Sequence, residues 1–147
     1  MKGTLHPNGF VIRLLCAFRN GMRLRLHTWP TGVPRLESPH DHRSWFISIP
    51  LWGSFLERRY REEPSDTSMD VQRCHATTSG NGTPHVTFER TGGVAEVMTT
   101  MRRAFMPYFC PADAIHSFAP TSPRFAASLV LFGPPKRTPR VWLARTS

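Results

Sequence analysis

Proline and glycine interrupt this chain too often for long helices to form. Its 147 residues include 14 prolines and 10 glycines. Proline inside a helix removes a hydrogen bond and clashes with the turn before it. Between the interruptions lie short runs rich in β-branched, aromatic and alternating apolar residues. The first two, residues 10–18 and 22–29, flank Asn20-Gly21, a pair suited to a tight hairpin turn. In the second run Met22, Leu24 and Leu26 alternate with Arg23, Arg25 and His27, the pattern of a half-buried strand. Further runs fall at 44–51, 54–60, 85–90, 94–101, 115–118, 125–132 and 140–144. Many short strands separated by turn signals predict an all-β sandwich or barrel. Residues 61–84 are polar and rich in Ser, Thr, Gly and Asp, and read as a surface loop or lid.

The length suits a single domain over residues 1–147 with a core of its own. No run of 18 or more apolar residues occurs, so no membrane span is expected. The apolar stretch at 10–18 carries Arg13 and makes a poor secretory segment. Three cysteines, Cys16, Cys74 and Cys110, form no CxxC pair. An odd, sparse set of this kind fits a reducing cytoplasm better than a disulfide framework. The formal charge is +9, almost all of it from arginine. These arginines are scattered and form no basic tract, so nucleic acid is not the expected partner; the charge reads either as suited to an anion such as phosphate or carboxylate or as a solvated surface.

The stretch most suggestive of chemistry is "SPHDHRSWF", residues 38–46. Alternate residues of a strand share a face. A strand here would place His40, His42, Ser44, Phe46 and Ser48 on one side, and Trp45, Ile47, Ile49 and Leu51 on the other. The second side reads as core and the first as the lining of a pocket. Neutral imidazole is the commonest metal ligand, and two on one strand give two points of a coordination sphere. The third must come from elsewhere. His116, in "FCPADAIHSF", is the best candidate, because the turn at Pro111, Ala112 and Asp113 would drop it into a barrel. His85 could be a fourth ligand or a base, whereas His6, His27 and His75 read as surface residues. Glu57 could orient a ligand histidine, or simply pair with Arg58 or Arg59. Tyr108 and Tyr60 are candidate pocket hydroxyls, with packing as the plainer role for both, and Cys110 reads as a buried, inert thiol.

These residues resemble the cupins. Gly32, His40, His42 and Gly53 match the first cupin motif, with two extra residues after Gly32. Pro111 and His116 match the second, with Asp113 in place of its glycine and Pro120 in place of its asparagine. The resemblance implies a double-stranded β-helix, the cupin jelly-roll barrel. The motif's glutamate falls on Phe46 or Ile47, which cannot bind metal. What is left, His40, His42 and His116, is similar to the three-histidine set of thiol dioxygenases such as cysteine dioxygenase. The segments at 40–60 and 128–142 also resemble small bacterial and phage cupin-like proteins. The resemblance implies a non-haem Fe(II) oxygenase, with Zn(II), Mn(II) and Ni(II) as alternative ions. Its partners would be O2 and a small anionic or amino-acid-like substrate, in specialised metabolism, and it would be a homodimer. Arg43, Arg58 and Arg103 are candidates to grip a substrate carboxylate, Ser44, Phe46 and Ser48 to shape the pocket, and Tyr108 and Glu57 to assist catalysis. A non-catalytic binding module and a cupin isomerase or lyase are the alternatives.

Overall fold

Eleven strands and no helix make up the described part of the protein. The computed structural model describes residues 3–6, 10–31, 38–64, 69–78, 84–122 and 124–144. Gly32 lies outside them. The strands are β1 (Thr4–Leu5), β2 (Val11–Ala17), β3 (Arg23–Trp29), β4 (Phe46–Trp52), β5 (Phe55–Glu63), β6 (Met69–Thr78), β7 (Pro84–Arg102), β8 (Tyr108–Cys110), β9 (Ile115–Pro120), β10 (Ala126–Phe132) and β11 (Arg140–Ala144). They form two antiparallel sheets, ordered β1-β2-β3-β10-β4-β8 and β11-β6-β7-β5-β9. In chain order β1–β4 lie in the first sheet and β5–β7 in the second, and β8 to β11 then alternate between the two, so the chain crosses repeatedly between sheets, as jelly rolls require.

Two turns show how local sequence sets the register. At Asn20-Gly21 the Phe18 amide donates to the Met22 carbonyl at 2.9 Å, and the Met22 amide donates to Asn20 Oδ1 at 3.1 Å. Gly21 supplies φ 84°, a value that only glycine adopts readily. Gly53, at φ 76°, does the same between β4 and β5. There a Cβ would stand 3.2 Å from Ala126 Cβ.

Aromatic residues dominate the space between the sheets. Trp29, Phe46, Phe55, Tyr108 and Phe118 are buried in one cluster, with Phe55 stacked on Phe118 at 4.6 Å between ring centroids. A smaller cluster of Val71, Val94 and Trp142 packs with Tyr60 and Ile115.

The structure corrects three expectations. Residues 61–84 are not one loop: β5 continues to Glu63, and Met69–Thr78 is a strand. Their polarity marks a sheet face held by charges, where Arg73 donates to Glu62 at 2.9 Å and also pairs with Glu89, and Arg90 donates to Glu62 at 2.8 Å. Cross-strand ion pairs of this kind let a polar sequence form a sheet. The two runs at 85–90 and 94–101 are a single strand. Gly92 and Gly93 remain extended where β7 pairs with β6 on one side and begins pairing with β5 on the other.

The third correction concerns which faces point inward. On β4, Phe46, Ser48 and Pro50 are buried, while Ile47 is 38% exposed. The face expected to be core is therefore the outer one. On β3 the inward face carries His27 and Trp29, in line with Arg25, and not the leucines.

Candidate metal centre

His40 and His42 do not lie on β4. They belong to the extended segment before it, and strand parity is not what brings their rings together. Backbone pairing does so instead. His40 and His116 exchange both amide bonds at 2.9 Å, His42 N donates to Ala112 O at 3.0 Å, and Trp142 N donates to Pro39 O at 2.8 Å. The segment is thus stitched between the start of β9 and the start of β11. Asp41, buried and facing away from the imidazoles, fixes it from behind by accepting from Arg140 N at 2.6 Å and from the Arg137 guanidinium. The turn expected at 111–113 forms, with Ala114 N donating to Pro111 O at 3.3 Å, and β9 then carries His116 inward.

The three imidazoles meet. Ring centroids are 4.9 Å apart for His40 and His42, 5.1 Å for His40 and His116, and 5.0 Å for His42 and His116. One nitrogen from each lies within 4.8 Å of the others, so the set can hold a metal ion. His42 Nε2 and His116 Nε2 are 2.8 Å apart. Two imidazoles on one divalent ion have nitrogens roughly 2.9–3.4 Å apart, given bonds of about 2.0–2.1 Å.

Hydrogen bonds on the far side of two rings orient their lone pairs. His116 Nδ1 lies 3.1 Å from Glu57 Oε1, and His40 Nδ1 lies 3.0 Å from Ser38 O. A carboxylate and a carbonyl only accept here, so both Nδ1 atoms carry the proton and both Nε2 atoms present lone pairs. Glu57 is fully buried. It also accepts from Arg59 Nε at 2.9 Å and from Arg102 Nε at 2.7 Å. Burial alone would raise its carboxyl, but hydrogen bonds from His116 and Arg102, with the Arg59 charge, hold it down at about 2. Burial pushes His116 down to about 4 against the pull of Glu57. It pushes His42 down as well, with His40 and His116 adding to the effect. Both rings are therefore neutral at pH 7, the form that binds metal.

Glu57, Cys110 and His116 also bring donor atoms together. Burial pushes the Cys110 thiol up to about 12, so it is protonated, and Glu57 is already engaged by two guanidinium groups and an imidazole. That trio is structural.

The histidines line a cavity of about 60 Å³ with Phe10, His27, Trp29, Phe46, Ser48, Tyr108, Phe118, Ser128, Val130 and Phe132. It has room for roughly four to six water-sized groups. Of the residues expected around the pocket, Phe46, Ser48 and Tyr108 line it. Ser48 shares a 2.5 Å hydrogen bond with Ser128. Burial pushes the Tyr108 phenol upward, so it stays a neutral hydroxyl, under the Arg102 guanidinium at 4.4 Å from the ring centroid. Ser44 is buried but lies outside the lining.

The three expected arginines do not line the cavity either. Arg43 and Arg103 are exposed, and Arg58 lies 3.7 Å from Glu96. They leave from loops or from the outer face of β5. His85 is exposed on β7, and His75 lies 3.2 Å from Glu89. His27, expected at the surface, is in the lining, and His6 stacks on Phe10 at 4.3 Å. The missed signal was parity: on β3 His27 is two residues from Trp29, the strand's most core-like side chain.

No protein-family model matches the sequence, and no curated protein matches it significantly. Solved structures match the fold. Oxalate oxidase in complex with glycolate aligns over 88% of this chain and 53% of its own, at 15% identity and a TM-score of 0.51. KdgF from Halomonas sp. aligns over 93% and 88%, at 12% identity and 0.51. A cupin superfamily protein from Desulfitobacterium hafniense aligns over 88% and 81%, at 11% and 0.50. This chain spans about half the length of the oxalate oxidase. Two curled antiparallel sheets, the crossover order of their strands and these neighbours make the fold that of the cupins, a double-stranded β-helix.

Proposed function

We propose that this protein is a metal-dependent cupin enzyme, with His40, His42 and His116 as metal ligands and a small oxygen-bearing anion as substrate. The reading rests on one observation: three imidazoles, two with lone pairs fixed by Nδ1 hydrogen bonds, converge on a small aromatic cavity. The donor set fits Fe(II) best, because three neutral nitrogens on one side leave positions for both a chelating substrate and O2. Such an ion supplies one-electron chemistry towards O2 and polarises a bound carboxylate or hydroxyl. The chain's own residues do the rest. Glu57 holds the His116 tautomer, and Asp41 locks the backbone of the paired histidines. Phe46, Phe118 and Phe132 exclude water, and the neutral Tyr108 hydroxyl stands ready to donate a hydrogen bond to a substrate oxygen. With no carboxylate ligand, the site keeps a full +2 charge, which favours an anion.

The homodimer reading is supported by the outer face of β4 and β8, where Ile47 and Phe109 are paired in register and are 38% and 57% exposed. Size-exclusion chromatography with light scattering checks it. Cys16, Cys74 and Cys110 are free thiols, in keeping with a reducing compartment. Among the described residues no helix is long and apolar enough to cross a membrane.

The test is anaerobic Fe(II) reconstitution of untagged protein, metal counting, and O2 uptake across a panel of small hydroxy, thiol and amino acids. The expected result is near one iron per chain and substrate-dependent O2 consumption. Metal without O2 uptake would move the function to a binding module, or to an isomerase or lyase. No binding of any divalent ion would overturn the site.

A further inference from the structure

Arg25 and His27 stand two apart on β3 and so share a face. Among the described residues Arg25 pairs with no carboxylate, and His27 carries a buried nitrogen with no partner. His27 Nε2 is shielded from solvent and makes no hydrogen bond. Its ring lines the same cavity as the three clustered histidines, between Phe10 at 5.1 Å and Phe132 at 6.0 Å. Burial, with the nearby Arg25 charge, pushes it down to about 3, so at pH 7 it is a neutral ring with one proton to place on either nitrogen.

Arg25 lies with its guanidinium carbon 4.9 Å from the Phe132 ring centroid, over a ring that lines the cavity. Burial, then the positive charges of Arg23 and Arg43, push its pKa down. No carboxylate pairs with Arg25 among the described residues, whereas Arg59, Arg73, Arg90, Arg102 and Arg137 each hold one. A half-buried cation crowded by like charges is costly unless an anion joins it. A shielded nitrogen without a partner is costly in the same way.

We propose that Arg25 and His27 form a carboxylate-recognition edge. The ligand is a small monocarboxylate whose charge Arg25 meets at the mouth and one of whose oxygens hydrogen-bonds to His27 Nε2 within the cavity. This deepens the reading of the histidine cluster as a metal site and supplies an anion grip from His27 in the lining and from Arg25 over the Phe132 ring.

The experiment titrates acetate, with acetamide as the neutral control, into the Co(II)-loaded and the metal-free protein. Cobalt absorption and the 15N imidazole signals of His27 report binding. Acetate is expected to bind and move the His27 signals, and acetamide not to. Arg25→Met, which keeps an apolar stem against Phe132, and His27→Gln should each weaken acetate about tenfold or more at unchanged cobalt content, with Arg25→Lys recovering part of the loss. Unchanged affinity in both variants, equal binding of acetamide, or no acetate binding in either form would overturn the proposal. Wild-type protein that takes up no cobalt would overturn the metal reading alone, and the metal-free titration would still decide this one.

Discussion

The charged face of β6 and β7 and the histidine cavity both withdraw polar groups from water, by opposite means. On the sheet face every charge has an opposite neighbour: Glu62 accepts from Arg73, Arg90 and the Trp142 indole, and Glu89 faces Arg73, His75 and Arg140. In the cavity the His42 and His116 rings are neutral, the outer nitrogens of His40 and His116 are bonded, and His27 Nε2 faces an aromatic hollow without a partner. The first arrangement sets charge against charge within the protein, although Arg73 Nε, His75 Nδ1, Glu89 Oε2 and Arg140 Nε stay buried there without a hydrogen-bond partner. The second turns neutral nitrogens towards a hollow. Charge-matched clusters hold folds together; neutral donors gathered in a pocket point to function.

The largest break in this contrast should come from His116→Ala. Metal content should fall from near one equivalent to background by elemental analysis. The circular dichroism should stay β-rich, because the change removes a ligand and leaves the backbone bridge to His40 in place. Glu57→Gln acts one step back. It loosens the His116 tautomer and leaves two guanidinium groups short of a negative charge. A loss of about 10–100-fold in metal affinity is expected by chelator competition, with partial retention of metal at saturating concentration.

Proton linkage separates the regions next. His116 and His27 are depressed to about 4 and 3 from an ordinary value of 6.5. As pH falls below 6.5 the unfolded chain takes up protons that the folded chain refuses, so stability drops from pH 6.5 down to about 4 through His116 and down to about 3 through His27. Glu57, held at about 2, works at lower pH: its contribution is present above about 4.5 and is lost as pH falls towards 2. Thermal melts across this range should therefore fall in two stages, and His27→Phe should flatten the upper one. The smallest effect is expected on the sheet face. Arg73→Ala should lower Tm slightly, by an amount that high salt diminishes, and leave metal affinity unchanged.

The readable part of this site was its spacing. His40, His42, Gly53, Pro111 and His116 are close enough to a known pattern to name the fold and a ligand set. The faces were harder to read. Alternation along β4 is symmetrical between an apolar outer row and a mixed inner row, and sequence cannot say which row a barrel encloses. The same ambiguity on β3 sent His27 to the surface and the leucines to the core. Glu57 could be named as an orienting acceptor, but Arg102, its closest donor, comes from the far end of β7. Only the pairing of Phe55 with Arg102, where β5 begins and β7 ends, brings them together.

The stitching of the paired histidines to Arg140 and Trp142 has a consequence for biosynthesis. Two of the three clustered histidines emerge early from the ribosome, the third much later, and the backbone anchors that hold the first pair later still. Until residue 142 is available, the segment around His40 has nothing to seat against on that side. A growing chain therefore presents loose imidazoles, and the finished cavity forms only after nearly the whole described chain has been made. On the proposed metal reading, an ion enters the completed protein and not the growing chain.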